Sequence, residues 1–144
     1  MIIKIILVLS FGGGEDIDKK FVGQIYRKIK SGDKKIYAIN DVFGTPAYTV
    51  DVAKILKQVI SESSGIYHFS SGAASRYEIA VELVKNLGVD VDVVPISYEE
   101  YHKKFPLKVP YTKCEVLQNN FVENSRDWKE AIKEYVNENF ISPK

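Results

Sequence analysis

The chain has few of the residues that build metal clusters, disulfides or strongly charged surfaces. Cys114 is its single cysteine, which excludes an internal disulfide and a cysteine-based metal cluster. The two histidines, His68 and His102, have no carboxylate or cysteine partner at a ligand spacing, so we interpret both as structural. The net charge is only +1, so bulk charge indicates neither a nucleic-acid partner nor an anionic membrane surface.

No apolar stretch near the N-terminus is long enough for a signal core or a membrane helix. The run after Lys4 extends only from Ile5 to Leu9, against roughly 7–15 residues in a signal core and about 20 in a membrane helix. A short β-branched run before three glycines predicts instead a strand that is buried on both faces. We therefore expect a cytoplasmic protein with no membrane partner.

The remaining composition is that of an ordinary globular domain. With 144 residues, 45% apolar and 27% charged, the chain is neither disordered nor membrane-spanning, and residues 1–144 are expected to form a single domain. Apolar spacing predicts strands that alternate with helices, which is typical of an α/β layered fold. The predicted strands cover 35–39, 65–70 and 89–95, and the predicted helices cover 16–31, 50–61, 75–88, 97–105 and 126–139.

Polar residues and glycines mark the ends of these helices. Thr49 is predicted to be the N-cap of the second helix. Capping boxes are predicted at 75–78 and 97–100, where a serine is followed three residues later by a glutamate. Gly32 and Gly88 are predicted to stop their helices in the left-handed conformation.

Two patterns with a chemical precedent carry little weight on their own. Gly12-Gly13-Gly14 has the outline of a phosphate-binding turn, but its spacing matches no nucleotide fingerprint and the following Glu15-Asp16 would repel a phosphate. We interpret it as a flexible connection. Tyr26 and Lys30 form a Tyr-x-x-x-Lys pair, yet 9 tyrosines in a lysine-rich chain produce about one such pair by chance. Tyr26 lies on an apolar stripe, which predicts a packing residue.

The loop from residue 41 to 53 is more informative. Gly44 and Pro46 together fix an unusual path, and Tyr48 lies near the positive end of the following helix, where a ligand phosphate would also be stabilised. From these residues alone, the segment is either a well-made turn and cap or part of a ligand site.

Six segments follow one another in a specific order, and together they point to one family. They are Phe11-Gly12, Asp41-x-x-Gly44-x-Pro46-x-Tyr48-Thr49-x-Asp51-x-Ala53, Gly65-Ile-Tyr-His-Phe-Ser70, Ser75-x-Tyr77-Glu78-x-Ala80, Val93-Val94-Pro95-Ile96 and Arg126-Asp127-Trp128-Lys129-Glu130-Ala131. In this order the chain resembles the C-terminal half of dTDP-4-dehydrorhamnose reductases, which are members of the extended short-chain dehydrogenase family. The resemblance spans residues 7–140.

The resemblance implies a partial Rossmann-like substrate domain of the extended short-chain dehydrogenase type. The family reduces a 4-keto sugar in dTDP-L-rhamnose biosynthesis with NAD(P)H, the nicotinamide supplying the hydride and a Tyr/Lys pair supplying the proton. By this resemblance Phe11 would approach the sugar, Gly44, Pro46 and Tyr48 would shape the substrate pocket, and Asp51 would order the loop and the helix.

The chain also departs from the family pattern. It has no G-x-x-G-x-x-G fingerprint for a dinucleotide pyrophosphate, and the catalytic tyrosine and lysine would lie before residue 1. We therefore expect no catalytic residue, no metal and no bound cofactor in this chain, weak binding of a dTDP-sugar, and no turnover by the chain alone. A cofactor-binding subunit or a second copy is the expected protein partner. The alternative is a non-catalytic interaction or regulatory module that derives from the reductase fold.

Overall fold

The computed structural model describes residues 2–61, 64–106, 110, 112–120 and 125–141. The described strands are β1 (Ile3–Ile6), β2 (Ser10–Phe11), β3 (Lys35–Ile39), β4 (Phe43–Gly44), β5 (Ala47–Tyr48), β6 (Gly65–His68), β7 (Ala74–Ser75), β8 (Asp92–Ile96) and β9 (Cys114–Glu115). The described helices are α1 (Gly14–Ile17), α2 (Phe21–Lys30), α3 (Thr49–Val59), α4 (Arg76–Leu87), α5 (Tyr98–Lys104) and α6 (Trp128–Val136), and a π-helical turn (Asn137–Ile141) follows α6. Strands and helices alternate, as in Rossmann-like folds, so the predicted α/β class is confirmed.

The strands form short, mostly parallel pairs. β1 pairs with β6 from Ile3 opposite Gly65, and β3 pairs with β8 from Lys35 opposite Asp92. β2 pairs in parallel with β5. β4 lies between β7, which is antiparallel to it, and β9, which is parallel. The central position of β4 brings the loop motif, the start of α4 and the segment around residue 114 together.

Two apolar clusters hold these layers. The larger cluster joins α2, α4 and α6 to the ends of β2 and β5, and its bulkiest members are Phe11, Tyr48, Trp128, Ile132 and Tyr135. The smaller cluster lies between α3 and the β1–β6 pair, and consists of Ala47, Ile55, Val59 and Phe69 with Ile3, Ile5 and Tyr67 packed against it. Across the described residues, every helix is too short or too polar to span a bilayer.

The first strand is not buried on both faces, so that prediction is wrong. Ile3 and Ile5 face α3, whereas Lys4 and Ile6 alternate with them and are exposed, with Ile6 at 40%. α3 covers only one face of the two-stranded sheet. Among the described residues, β1 has β6 as its neighbour on one side and no strand on the other.

Two amide side chains close the outer edge of β6. Asn120 Oδ1 accepts the backbone N–H of His68 at 2.9 Å, and its Nδ2 donates to the carbonyl of Ile66 at 3.0 Å. Asn119 makes the same pair of bonds with the N–H and carbonyl of Ser70, at 2.7 and 2.8 Å. Each amide replaces the peptide group of a neighbouring strand.

The predicted helix over 16–31 is broken into α1 and α2. Asp18 leaves the helical conformation with φ −69° and ψ 93°, and its carboxylate accepts the N–H groups of Lys20 and Gly12. These bonds compete with the hydrogen bonds of the helix, so the side chain of Asp18 ends the first helix. The same carboxylate also accepts the hydroxyl of Tyr135, which lies 117 positions further along the chain.

Other helix and strand ends shift for local reasons. Tyr48, not Thr49, is the N-cap of α3, and no side chain bonds there, so the Thr49 prediction is wrong. β6 ends at His68 instead of residue 70, and beyond it the backbone of Ser70 bonds the side chain of Asn119. The capping boxes at 75–78 and 97–100 are confirmed, and Gly32 and Gly88 adopt the predicted left-handed conformation, with φ of 98° and 65°.

Candidate functional site

The structure brings two of the predicted site residues, Phe11 and Tyr48, into direct contact. Their rings stack with centroids 5.3 Å apart, and Tyr135 lies tilted against both, at 5.5 and 5.6 Å. Phe11 is 1% exposed and Tyr48 is 3% exposed. The two rings therefore form part of the core, and their role as ligand contacts stays a prediction.

Gly44 and Pro46 hold the loop against the strand ends. A Cβ on Gly44 would lie 2.8 Å from Cδ1 of Leu9, so glycine lets these two segments approach closely without displacing the Leu9 side chain. Pro46 is fully buried, and its carbonyl accepts the hydroxyl of Ser71. The neighbouring Thr45 Oγ1 accepts the N–H of Leu117 at 2.9 Å. The loop is thereby fixed to two other parts of the chain.

Asp51 lies at the start of α3 and makes its main contact with a segment that precedes α6. Its carboxylate accepts Nε of Arg126 at 2.8 Å, while Lys54 Nζ is 3.5 Å away. Nη1 of Arg126 donates to Glu134. The hydrogen bond from Arg126 lowers the pKa of Glu134, and the same bond, together with Asp51, raises the pKa of the guanidinium. Asp51 thus joins α3 to α6.

Tyr48 and Tyr135 are neutral hydrogen-bond donors at physiological pH. The hydroxyl of Tyr48 donates to Glu138 at 3.3 Å, and burial, followed by the charge of Glu138, raises the pKa of Tyr48 to about 12. Burial and the charge of Asp18 raise the pKa of Tyr135. Neither phenol is therefore suited to give up a proton near neutrality.

A cleft lies beside the start of α2, and no sequence motif indicated it. Its volume is about 360 Å³, and its walls come from α2, β3, the start of α4 and α5. The lining residues are Lys19, Lys20, Phe21, Gln24, Ile25, Lys28, Ile36, Tyr37, Ala38, Ile39, Arg76 and Tyr101. One signal was available: Lys19-Lys20 occupies the start of a helix, where acidic residues are usual.

The cleft is cationic and aromatic. Four lining side chains, Lys19, Lys20, Lys28 and Arg76, are basic, and none of the described lining residues is acidic. The first turn of the ten-residue α2 holds no acidic residue, and no side chain caps it, so its free N–H groups add to the positive potential. The rings of Phe21, Tyr37 and Tyr101 provide flat apolar surface in the same walls. This combination suits a ligand with both an anionic group and a planar ring.

A more open groove of about 840 Å³ adjoins this cleft. The two share Lys20, Phe21 and Arg76, and the groove continues along residues 7–10 and 114–117. The guanidinium of Arg76 lies 5.2 Å from the ring centroid of Phe21, at the boundary between them. A ligand longer than the cleft would extend into this groove.

The glycine turn does not fit the pyrophosphate of a dinucleotide. It leads into the four-residue α1, whose first turn contains Glu15 and Asp16, and the N–H of Gly12 already faces the carboxylate of Asp18. The residues that the structure describes bring together no group of three His, Cys, Asp or Glu side chains able to hold a metal ion.

The Tyr26–Lys30 pair is structural. Tyr26 stacks on Phe140 with ring centroids 3.8 Å apart, which confirms the predicted packing role. Lys30 forms an ion pair with Glu15 at 2.7 Å.

Comparison with known proteins places these features in context. The sequence profile described as RmlD substrate binding domain matches residues 2–140. The spore coat polysaccharide biosynthesis protein SpsK of Bacillus subtilis (strain 168) is 32% identical over 116 residues, which are 77% of this chain and 40% of SpsK.

Two solved structures show the same fold. The dTDP-4-dehydrorhamnose reductase of Yersinia enterocolitica superposes with a TM-score of 0.82 at 28% identity, over 94% of this chain and 48% of that one. A dTDP-4-dehydrorhamnose reductase of Clostridium acetobutylicum gives 0.81 at 30% identity, with the same coverage of both chains. The chain therefore spans about half the length of the relatives that it matches.

Proposed function

The chain belongs to the RmlD substrate-binding domain family, and from that membership we propose that it is the substrate-binding part of a reductase that acts on a dTDP-sugar. The observation that carries this proposal is the cationic, aromatic cleft beside α2. A dTDP-sugar has a planar base, a pyrophosphate and a sugar ring, and cleft and groove together offer a matching surface for each.

Each part of the ligand is assigned by its chemistry. The pyrophosphate lies at Lys19, Lys20, Arg76 and the N-terminus of α2, because cations and free N–H groups stabilise anionic oxygens. The base packs on the rings that line the cleft. The sugar extends into the open groove beside residues 7–10. These residues connect β1 to β2, which ends at Phe11.

The residues predicted from sequence hold together the strand and helix ends around the cleft and the groove. Phe11 and Tyr48 pack where β2 and β5 end, and Gly44 lets β4 approach Leu9, which lines the open groove. Asp51 holds α3 in place through Arg126. We propose that these residues shape the site without contacting the base or the pyrophosphate.

The chain alone is proposed to be inactive as a reductase. NAD(P)H, which the family uses, supplies the hydride when it is bound, and the glycine turn of this chain does not fit its pyrophosphate. Tyr26, Tyr48 and Tyr135 are engaged in packing or in hydrogen bonds to carboxylates. Binding and orienting the substrate is the part of the reaction that this chain's residues serve.

A titration with dTDP tests the binding proposal. We expect saturable, salt-sensitive binding in the millimolar range by NMR, weaker binding of thymidine, and weakening of dTDP binding by about five- to tenfold in Lys20→Ala. Lys57→Ala, which removes an exposed lysine of α3, is the matched control and leaves the affinity unchanged. Absence of any shift at millimolar dTDP would refute the site.

Activity is tested separately. NADPH oxidation with dTDP-4-dehydrorhamnose is expected to equal the blank for the purified chain, and turnover above the blank contradicts the proposed inactivity.

A second candidate function, a non-catalytic interaction module, is favoured by the face of the β1–β6 sheet that the described residues leave exposed. Ile6 and Ile66 are 40% and 55% exposed there. The partner in this case is a cofactor-binding subunit or a second copy. This function is tested by the solution mass of the wild type and of Ile6→Lys, together with the dTDP affinity of both. A complex that is lost in Ile6→Lys, with no dTDP affinity in either protein, supports it. A monomer at all concentrations, without a partner, argues against it.

A further inference from the structure

Asp18 occupies a buried position where the chain changes direction between α1 and α2. The residue is 2% exposed. Oδ1 accepts the N–H of Lys20 at 2.9 Å, and Oδ2 accepts the hydroxyl of Tyr135 at 3.1 Å and faces the N–H of Gly12 at 3.4 Å. An ionised carboxylate only accepts hydrogen bonds, so three converging donors suit it. The carboxylate therefore joins the end of β2, the start of α2 and α6 at one point.

The backbone of Asp18 is held as firmly as its side chain. Its carbonyl accepts Nη1 of Arg27 at 2.8 Å, and its N–H donates to the carbonyl of Gly14 at 2.9 Å. α2 packs so closely against it that a Cβ on Gly23 would lie 2.0 Å from the carbonyl oxygen of Asp18. Residue 18 is consequently tied to α2 by hydrogen bonds and close packing.

The next three residues, Lys19, Lys20 and Phe21, form the cationic and aromatic wall of the cleft. The backbone of Lys20 is extended, with φ −85° and ψ −171°. Its N–H donates to Asp18 and its carbonyl accepts the N–H of Gln24 at 2.9 Å, so the bond to Asp18 fixes the N-terminal side of this residue. We propose that Asp18 is a positioning residue for the ligand cleft, and that its buried carboxylate, anchored by Tyr135, sets where this wall stands. The inference rests on the proposed function.

Charge alone predicts the opposite effect of a mutation at this position. Asp18→Asn removes a negative charge beside a cleft for an anion, and by electrostatics this strengthens dTDP binding. Positioning predicts weaker binding, because the amide Nδ2 of asparagine is a donor and must face at least one of the donors that the carboxylate accepted. The sign of the change therefore distinguishes the two explanations.

The experiment measures dTDP affinity by NMR titration well below the unfolding temperature of each variant. We expect Asp18→Asn to bind dTDP about tenfold more weakly, because small displacements of positioning groups have large effects. Asp16→Asn makes the same charge change at an exposed site in α1 and is expected to bind as the wild type does, or slightly more tightly. Tyr135→Phe removes the hydroxyl that anchors Asp18, and is expected to weaken binding in the same direction but less.

Each outcome decides the matter. If folded Asp18→Asn binds dTDP as tightly as the wild type or more tightly, and only its unfolding temperature is lower, Asp18 is merely structural. This result overturns the inference while the proposed function stands. If Asp18→Asn does not fold, Tyr135→Phe carries the test, and wild-type affinity in that variant overturns the inference. Failure of the wild type to bind dTDP overturns the proposed function, and this inference with it.

Discussion

Replacing Arg126 by glutamine tests whether the ion pairs described above hold α3 to α6. In the native chain Nε of Arg126 donates to Asp51 at 2.8 Å, and Nη1 donates to Glu134. The guanidinium also lies 5.7 Å from the ring centroid of Tyr48. Glutamine keeps polarity and part of the length but loses the charge and the fork that engages two carboxylates.

The magnitude follows from the exposure of the two carboxylates. The side chain of Asp51 is 11% exposed, and after the mutation its remaining cation is Lys54, at 3.5 Å and 63% exposed. Leaving such a buried acceptor poorly paired costs about 1–3 kcal/mol. Glu134 is 30% exposed and regains water, so its bond contributes at most about 1 kcal/mol. The free energy of unfolding is therefore expected to fall by about 1–4 kcal/mol, and Tm by about 3–12 °C.

Urea unfolding followed by tryptophan fluorescence measures this change. Trp128 is the single tryptophan, is 4% exposed and lies two residues from Arg126. Lys133→Gln removes an exposed cation of α6 and serves as the control, with an expected change below about 0.5 kcal/mol. A double-mutant cycle with Asp51→Asn is expected to give a coupling of about 1–2 kcal/mol. A loss below about 0.5 kcal/mol for Arg126→Gln would refute the reasoning.

Two further predictions concern backbone geometry and pH. Gly12→Ala is expected to lower the free energy of unfolding by about 3 kcal/mol or more, because φ is +139° and the new Cβ would lie 2.0 Å from Thr49 Oγ1. The control Gly32→Ala, at φ +98° in open space, is expected to cost only about 1–2 kcal/mol. Equal Tm values for the two variants would contradict this. Glu134→Gln lowers stability by up to about 1 kcal/mol at pH 7. Because Arg126 holds the folded pKa of Glu134 below its ordinary 4.5, that difference is present above pH 4.5 and shrinks as the pH falls from 4.5 through the folded pKa. Urea unfolding of both proteins at a series of pH values from 7 downward is expected to show this narrowing.

The features that sequence predicted well depend on neighbouring residues. The capping boxes at Ser75 and Ser97 need only the glutamate three residues later, and Gly32 and Gly88 need only their own freedom of φ. Strand β3 begins and ends as predicted, because its apolar run is bounded by charged and polar residues on both sides. Alternation of such elements was enough to indicate the α/β class.

The features that sequence missed depend on distant partners. The break at Asp18 is fixed in part by Tyr135, and the exposed face of β1 reflects how far α3 reaches across the sheet. The cleft is assembled from four segments between residues 19 and 101, and no local pattern marks all of them. The stacking of Phe11 on Tyr48 depends on the pairing of β2 with β5, which is likewise invisible in the spacing of residues.

The amides of Asn119 and Asn120 have a consequence for aggregation. Fibril growth by strand addition needs two open edges on every molecule, one that offers hydrogen bonds and one that receives the next molecule. In the β1–β6 sheet one of these edges is filled by side chains that reach it only after the chain has folded. Addition of a strand to β1 therefore ends after one step, and the native fold itself prevents this sheet from propagating.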